Sequence, residues 1–230
     1  YKRQHESGAL GWSYADVLPY FRRMEHSHGG SAGWRGTDGP LHVTRGPRDN
    51  PLHDAFVAAV IEAGYAVVDD YNGYRQEGFG AADMTVWRGR RWSAANAYLR
   101  PALRRGNIKL ISGALVEKIL IDGRAAMGVV YLKGGKRYQV TARAEIVLAA
   151  GAINSPQIMQ RSGVGPGAVL QNAGVDVVLD RPGVGANLQD HLEVYLQVAC
   201  LQPITLYKHL NLASKALIGA RWLMFKSGLG

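Results

Sequence analysis

The sequence predicts a mixed fold of class α/β or α+β, because helical patterns and meander-like strands both occur along the chain. Apolar residues at helical spacing mark the first hundred residues, whereas runs of β-branched and aliphatic residues begin near residue 108. Apolar residues make up 47% of the 230 residues and charged residues 20%, which excludes wholesale disorder. This length suits one large domain or two modest ones.

Three helices are expected in the first half of the chain, at about 14–25, 51–63 and 94–99. Ser13 and Asp16 have the form of a capping box, and Pro51 suits the first turn of a helix. The third helix is predicted to stop before Pro101. Residues 26–50 are rich in Gly, Ser, Arg and Asp without clear periodicity, which predicts a long surface loop.

Strands are expected at 108–112, 115–121, 127–132, 137–141, 146–148 and 175–179. Gly134 and Gly135 indicate a hairpin turn between two of them. The apolar strand 146–148 is predicted to be buried and to lead into Gly151. A helix beginning at Ser155 is expected to follow it.

The net charge of +9 arises from 27 Lys and Arg against 18 Asp and Glu, and it is spread along the chain. Its densest cluster, residues 87–92, combines three arginines with two tryptophans. Because no nucleic-acid motif accompanies it, we interpret the cluster as a solvated loop and expect no nucleic-acid partner. The longest apolar or Gly run, residues 146–153, is too short to span a bilayer.

Several kinds of site are excluded by the residues present. The single Cys200 rules out a disulfide framework and any multi-cysteine metal site. His26 and His28 form a possible metal pair, but no third ligand is near them in the sequence, so no metal site is expected. Asp190 and His191 could form a catalytic dyad, yet such a pair is more often structural.

The most informative stretch is residues 151–165, where the predicted buried strand 146–148 runs into small residues and then a helix. This arrangement directs free backbone N–H groups and the positive end of the helix dipole at whatever lies above the turn. The pattern therefore predicts a nucleotide or another anion near this turn. An ordinary strand-to-helix connection remains the alternative.

The same stretch resembles the second signature of the glucose–methanol–choline (GMC) oxidoreductases, with Gly-Ala at 151–152, Ser-Pro at 155–156 and Ser-Gly-Val-Gly at 162–165. Further matches lie at 12–14, 18–21, 39–41, 96–99 and 182–191. Within the family, residues 72–80 and 192–203 are most similar to choline-oxidising members.

The resemblance implies FAD bound to a Rossmann-like domain that is interleaved with a substrate domain built on an antiparallel sheet. On this basis residues 1–38 lie near the junction of the two domains, 39–92 and 175–230 belong to the substrate domain, and 93–174 belong to the FAD domain. The family's N-terminal FAD loop and C-terminal catalytic histidine have no match here. We therefore expect an internal piece of a longer enzyme, inactive alone, and assign no catalytic residue.

The resemblance also assigns binding residues. Val116 matches a valine whose backbone meets the adenine ring, and Ala150 and Gly151 match the strand end beside the ADP half. The remaining cofactor-binding candidates are Ser155, Asn187 and His191. The resemblance to choline-oxidising members places Glu193 at the cationic head of the substrate, and Tyr195 shares its face in an extended strand.

The implied activity is FAD-dependent oxidation of a primary alcohol, choline to betaine aldehyde. Its alternatives are another alcohol, such as an aryl or polyether alcohol, and a basic binding module without catalysis. Either a membrane quinone or another acceptor takes the electrons. The implied location is the cytoplasm or the inner face of an energy-transducing membrane, to which the enzyme binds peripherally.

Overall fold

A computed structural model describes residues 2–228. In chain order its helices are α1 (Lys2–Glu6), α2 (Tyr14–Met24), α3 (Pro51–Glu62), α4 (Arg100–Arg104), α5 (Gly151–Arg161), α6 (Gly167–Asn172) and α7 (Leu212–Phe225). Its strands are β1 (Glu25–Ser27), β2 (Leu41–Arg45), β3 (Asp83–Met84), β4 (Val86–Trp87), β5 (Arg90–Arg91), β6 (Leu115–Asp122), β7 (Ala125–Lys133), β8 (Lys136–Thr141), β9 (Val164–Gly165) and β10 (Leu179–Asp180). The predicted mixture of helices and sheets is confirmed.

The chain divides into two compact units. The first comprises residues 1–109 together with 197–230, and the second comprises residues 110–196. The four-part division expected from the sequence remains a prediction.

Side-chain N-caps mark the starts of the two long helices of the N-terminal half, α2 and α3. The hydroxyl of Ser13 accepts the N–H of Asp16 at 3.3 Å, and the Asp16 carboxylate accepts the N–H of Ser13 at 2.9 Å. Asn50 caps α3 by accepting the N–H of Leu52 at 2.9 Å, with Pro51 in the first turn. These bonds satisfy donors that a helix start leaves unpaired, and both predicted helices are confirmed.

The predicted surface loop at 26–50 is wrong in part, because it contains β1 and β2. β1 pairs in parallel with β2, and β2 pairs antiparallel with β3. Strands this short depend on partners distant in sequence, which periodicity does not reveal. The helix predicted to stop before Pro101 also continues: a π-helical turn, Ala95–Leu99, leads into α4, where Pro101 occupies the first turn.

A buried arginine connects the sheet of the first unit to its loops. Arg35 is only 7% exposed and forms ion pairs with Glu25 at 2.8 Å, Asp70 at 2.9 Å and Asp83 at 2.8 Å. Asp70 also accepts the N–H of Ser31 at 2.8 Å. Burial alone raises the pKa of Asp70, but the hydrogen bond from the Ser31 N–H and the charge of Arg35 bring this pKa below its usual value. Three carboxylates thus surround one guanidinium.

The second unit contains an antiparallel meander, β6–β7–β8, in which Gly134 and Gly135 form the predicted hairpin turn. α5 packs on β6, since the hydroxyl of Ser162 accepts the N–H of Ile119 at 2.8 Å and donates to the carbonyl of Ile158 at 2.6 Å. The strands predicted at 115–121, 127–132 and 137–141 are confirmed.

Other predicted strands of this region are wrong. Residues 108–112 and 146–148 form no strand, and Val147 is 79% exposed. A strand requires a hydrogen-bonded neighbour, and none of the strands within residues 2–228 pairs with 146–148. Of residues 175–179, only Leu179 lies in a strand, β10, which pairs with β9.

No helix in the described part of the chain is both long and apolar enough to cross a membrane.

The arginine cluster gives a stability prediction. Arg35→Met leaves three carboxylates facing one another without their cation, so we expect the free energy of unfolding to fall by about 3 to 5 kcal/mol. Arg137→Met is the matched control, because Arg137 pairs with Glu117 but is 67% exposed. The control should lose much less stability, because solvent screens an exposed ion pair. Urea unfolding of both variants measures this; equal losses would contradict the role given to Arg35.

Candidate functional site

The turn into α5 is the first element of the candidate site. Gly151 adopts a φ of +86°, a left-handed conformation that glycine allows at little cost, and α5 begins there. The predicted start at Ser155 is therefore wrong. Ser155 lies inside the helix, and its hydroxyl reaches back to accept the N–H of Ala150 at 3.0 Å. Ser155 thus fixes the turn rather than capping a later helix.

The first turn of α5 leaves polar backbone groups available to a ligand. Ala150, the N-cap residue, has no polar side chain to accept the first helical N–H groups. Pro156 lacks an N–H, so the carbonyl of Ala152 has no donor four residues later in the helix. An N–H-rich helix start carries a partial positive charge and suits an anionic or strongly polar ligand.

A groove of about 570 Å³ runs along α5 and the turn at residues 185–189. It is lined by Ala152, Ile153, Pro156, Gln157, Gln160, Gly185, Ala186, Asn187, Leu188 and Gln189. The amide of Gln160 donates to the carbonyl of Val184 at 2.9 Å and thereby holds the turn against the helix. Gly185 has a φ of +84°, and a Cβ there would approach the Gln160 amide to 2.8 Å. The left-handed φ favours glycine, and a larger residue would also displace the Gln160 side chain.

The predicted cofactor residues are distributed unevenly about this groove. Asn187 lines it, with a left-handed φ of +54°, and Gly151 precedes its first lining residue, Ala152. His191 lies just beyond it, where its N–H donates to the carboxylate of Asp190 at 2.8 Å. Val116 lies in β6, paired with Tyr131, and does not line the groove. Their roles toward a cofactor remain predictions.

Glu193 and Tyr195 are in contact, as expected for residues that share one face. The hydroxyl of Tyr195 donates to the Glu193 carboxylate, and this hydrogen bond raises the pKa of Tyr195 above its ordinary value. Both side chains are exposed. The backbone around them forms no ladder with any strand of the described residues, so the expected strand is not found. An aromatic ring and a carboxylate nevertheless lie side by side.

Sequence reasoning missed three residues that the fold brings to potential sites. Gln160 and Gly185 shape the groove through a contact between segments about 25 residues apart, for which the sequence has no local signal. His26 and His28 have no third ligand near them in the sequence, but folding brings His42 beside them. The alternating pattern of residues 41–45 was a usable strand signal for His42.

The chemistry available at the groove is binding rather than proton transfer. Small and apolar side chains cover most of its walls, and side-chain amides together with backbone groups supply its polarity. An apolar lining with a few polar groups is typical of a small-molecule site. No residue lining the groove titrates near neutral pH, so the lining residues named above offer no general base.

Comparisons with known proteins identify the family of this chain. The family model described as "GMC oxidoreductase" matches residues 3–193. The "Oxygen-dependent choline dehydrogenase" of Brucella anthropi is 60% identical over 230 residues, which is 100% of this chain and 42% of that protein. The chain thus spans less than half the length of this curated relative.

Two solved structures are similar. An FAD-dependent oxidoreductase from Chaetomium thermophilum is 28% identical with a TM-score of 0.86, over 99% of this chain and 42% of that chain. Pyridoxine 4-oxidase from Mesorbium loti is 32% identical with a TM-score of 0.69, over 74% of this chain and 34% of that chain. Since the family model covers far more than half of its residues, this chain belongs to the GMC oxidoreductase family.

Proposed function

We propose that the complete protein oxidises choline to betaine aldehyde and uses FAD to accept the electrons. The observation that carries this proposal is the 60% identity, over all 230 residues, to a protein named as a choline dehydrogenase. The solved FAD-dependent oxidoreductase of the same fold supports the cofactor. Because the chain spans only 42% of its curated relative, activity, substrate and acceptor are all proposed for the complete protein.

The residues about the groove fit an FAD. The start of α5 has no side-chain cap for its N–H groups, and a Cβ on Gly151 would meet no atom within 4 Å, so open space lies above the backbone there. We assign Ala150, Gly151 and Ser155 to the ADP half of the cofactor. Val116 is assigned to its adenine ring. Backbone N–H groups and the helix dipole would stabilise its negative charge.

The turn that ends the groove is assigned to the flavin half, with Asn187 and His191 as its contacts. Gln160 holds this turn in place through the carbonyl of Val184. When bound, FAD supplies a two-electron acceptor for the hydride that leaves the alcohol carbon. The hydroxyl proton passes to a base, and no residue of this chain is assigned that role. The chain's own residues bind and orient the cofactor.

Glu193 and Tyr195 are assigned to the trimethylammonium group of choline. This cation cannot donate a hydrogen bond, so a site holds it with aromatic faces and carboxylates. The contact between the Tyr195 hydroxyl and Glu193 keeps a ring beside a charge, which suits such a group. The attraction becomes strong only when both partners are removed from water, so the proposal requires other residues of the complete protein to cover the pair.

Two electron acceptors are compatible with the proposal. The Brucella anthropi relative is named an oxygen-dependent enzyme, which favours molecular oxygen as the acceptor. A membrane quinone is the second candidate, and it goes with peripheral attachment to the inner face of an energy-transducing membrane. If oxygen is the acceptor, the protein needs no membrane contact, which is compatible with a cytoplasmic location. Oxygen uptake in the absence of membranes distinguishes the two acceptors.

The first functional prediction concerns Gly151 in the complete protein. Gly151→Ala puts a methyl group where we place the cofactor, so FAD should bind roughly tenfold more weakly. Gly135→Ala is a matched control, because Gly135 also has a positive φ, +74°, and a Cβ at that position would have no atom within 4 Å. Backbone strain is therefore similar in both variants. Flavin absorbance per protein measures the effect; an equal loss in both would limit Gly151 to a turn residue.

The second functional prediction concerns Glu193. Glu193→Gln removes only a charge, so the apparent KM for choline should rise roughly tenfold or more. For 3,3-dimethylbutanol, a neutral alcohol of the same shape, KM should change little, because there is no cation to lose its partner. Steady-state kinetics measure the apparent KM for both substrates. Glu145→Gln, at another exposed glutamate, is the control variant. Equal effects on both substrates would show that Glu193 is structural.

A further inference from the structure

β1 and β2 bring three histidines to one face of a small sheet. His26 pairs with His42 in the parallel ladder. His28 lies two residues after His26, where the alternation of a strand returns its side chain to the same face. The N–H of His28 donates to the carbonyl of Val43 at 3.0 Å, which continues the pairing. One ring nitrogen from each histidine falls in a group whose members all lie within 4.8 Å of one another.

Trp87 of β4 forms a platform for two of these rings. Its ring centroid lies 4.3 Å from that of His28 and 4.3 Å from that of His42, with interplanar angles of 10° and 9°. Nε2 of His28 and Nδ1 of His42 are hydrogen-bonded at 2.9 Å, so these rings lie side by side on the indole. His26 stacks on His28 with centroids 4.4 Å apart. The three imidazoles are therefore oriented by packing.

A second tryptophan fixes the edge of the cluster. The ring of Trp92 meets that of His42 edge-on at 5.5 Å. Its Nε1 donates to the carbonyl of Pro40 at 2.8 Å, directly before β2. Supporting contacts of this kind, outside the ligands themselves, limit the orientations that metal-binding histidines can adopt.

We propose that His26, His28 and His42 bind a divalent transition-metal ion such as Zn²⁺, Ni²⁺, Co²⁺ or Cu²⁺. Imidazole nitrogen suits these ions, whereas Mg²⁺ and Ca²⁺ require oxygen ligands. A tetrahedral Zn²⁺ with bonds of about 2.0–2.1 Å needs its nitrogens about 3.3 Å apart. Nε2 of His28 and Nδ1 of His42 lie 2.9 Å apart, so metal binding requires this hydrogen bond to open by a few tenths of an ångström. Three protein ligands leave one position for water.

The charges around the three histidines affect how tightly the cluster binds a metal ion. Desolvation, followed by the proximity of His26, lowers the pKa of His28 and of His42. Metal ions bind the neutral form of imidazole, so this direction does not oppose metal binding. Arg88 opposes a bound cation, because its guanidinium carbon lies 5.6 Å from the Trp87 ring centroid. We accordingly expect a dissociation constant on the order of micromolar rather than the much tighter binding of structural zinc sites.

The site is separate from the proposed cofactor groove in the chain. All three histidines belong to the unit that contains residues 1–109, and the groove belongs to the unit of residues 110–196. The proposed oxidation of choline uses no metal ion. Metal binding and flavin binding can therefore succeed or fail independently in experiment.

Calorimetric titration of the complete, tag-free, chelator-treated protein with zinc chloride tests the proposal. We expect one Zn²⁺ per chain. His28→Phe and His42→Phe keep a planar ring against Trp87 but remove the ligand nitrogen, so each should weaken binding at least roughly tenfold. His53→Phe, on α3, is the matched control and should bind as the parent protein does. Circular dichroism and flavin absorbance establish that each variant is folded.

Cobalt(II) provides a second measurement on the same proteins. Intense visible absorption bands are expected on binding, because a site of three histidines and one water is four-coordinate. These bands should be absent from folded His28→Phe and His42→Phe. The proposal is overturned if the parent protein binds no Zn²⁺ up to millimolar concentration. It is equally overturned if the folded variants bind Zn²⁺ as tightly as the parent.

Discussion

A left-handed backbone conformation at Gly151 determines how the chain enters α5, and the geometry of the proposed cofactor groove depends on it. With φ at +86°, the helix begins four residues before Ser155, whose hydroxyl then closes the turn on the N–H of Ala150. The next N–H groups of α5 have no side-chain cap, because the N-cap residue is Ala150. Gln160, two turns further along, holds the opposite wall through Val184. One helix thus supplies both the charge and the shape of the groove.

Local signals made much of the fold predictable. The capping box at Ser13, the proline at the start of α3 and the hairpin at 134–135 each act within a few residues, and all three are found. β1 was not predictable in the same way, because its three residues form a strand only through pairing with β2 and the ion pairs of Arg35. Periodicity carries no information about such distant partners.

The residues of the candidate site were likewise predictable only where they belong to local motifs. Gly151 and Asn187 belong to continuous motifs, so the sequence alone identified both, and both lie at or beside the groove. The contact of Gln160 with the turn at 185–189 arises only on folding. The apolar residues 146–148 were predicted to form a strand by composition, but a strand needs a neighbour that residues 2–228 do not provide. His42 likewise joined the other two histidines only through strand register.

We propose that this chain is part of an enzyme that moves electrons from choline to FAD. Anaerobic addition of choline to the complete protein, followed by visible absorption, tests it most directly. We expect a flavin spectrum in the purified protein and its bleaching by choline, with an equivalent amount of betaine aldehyde formed. A colourless protein that still folds, or a bound flavin that another alcohol reduces and choline does not, would contradict it.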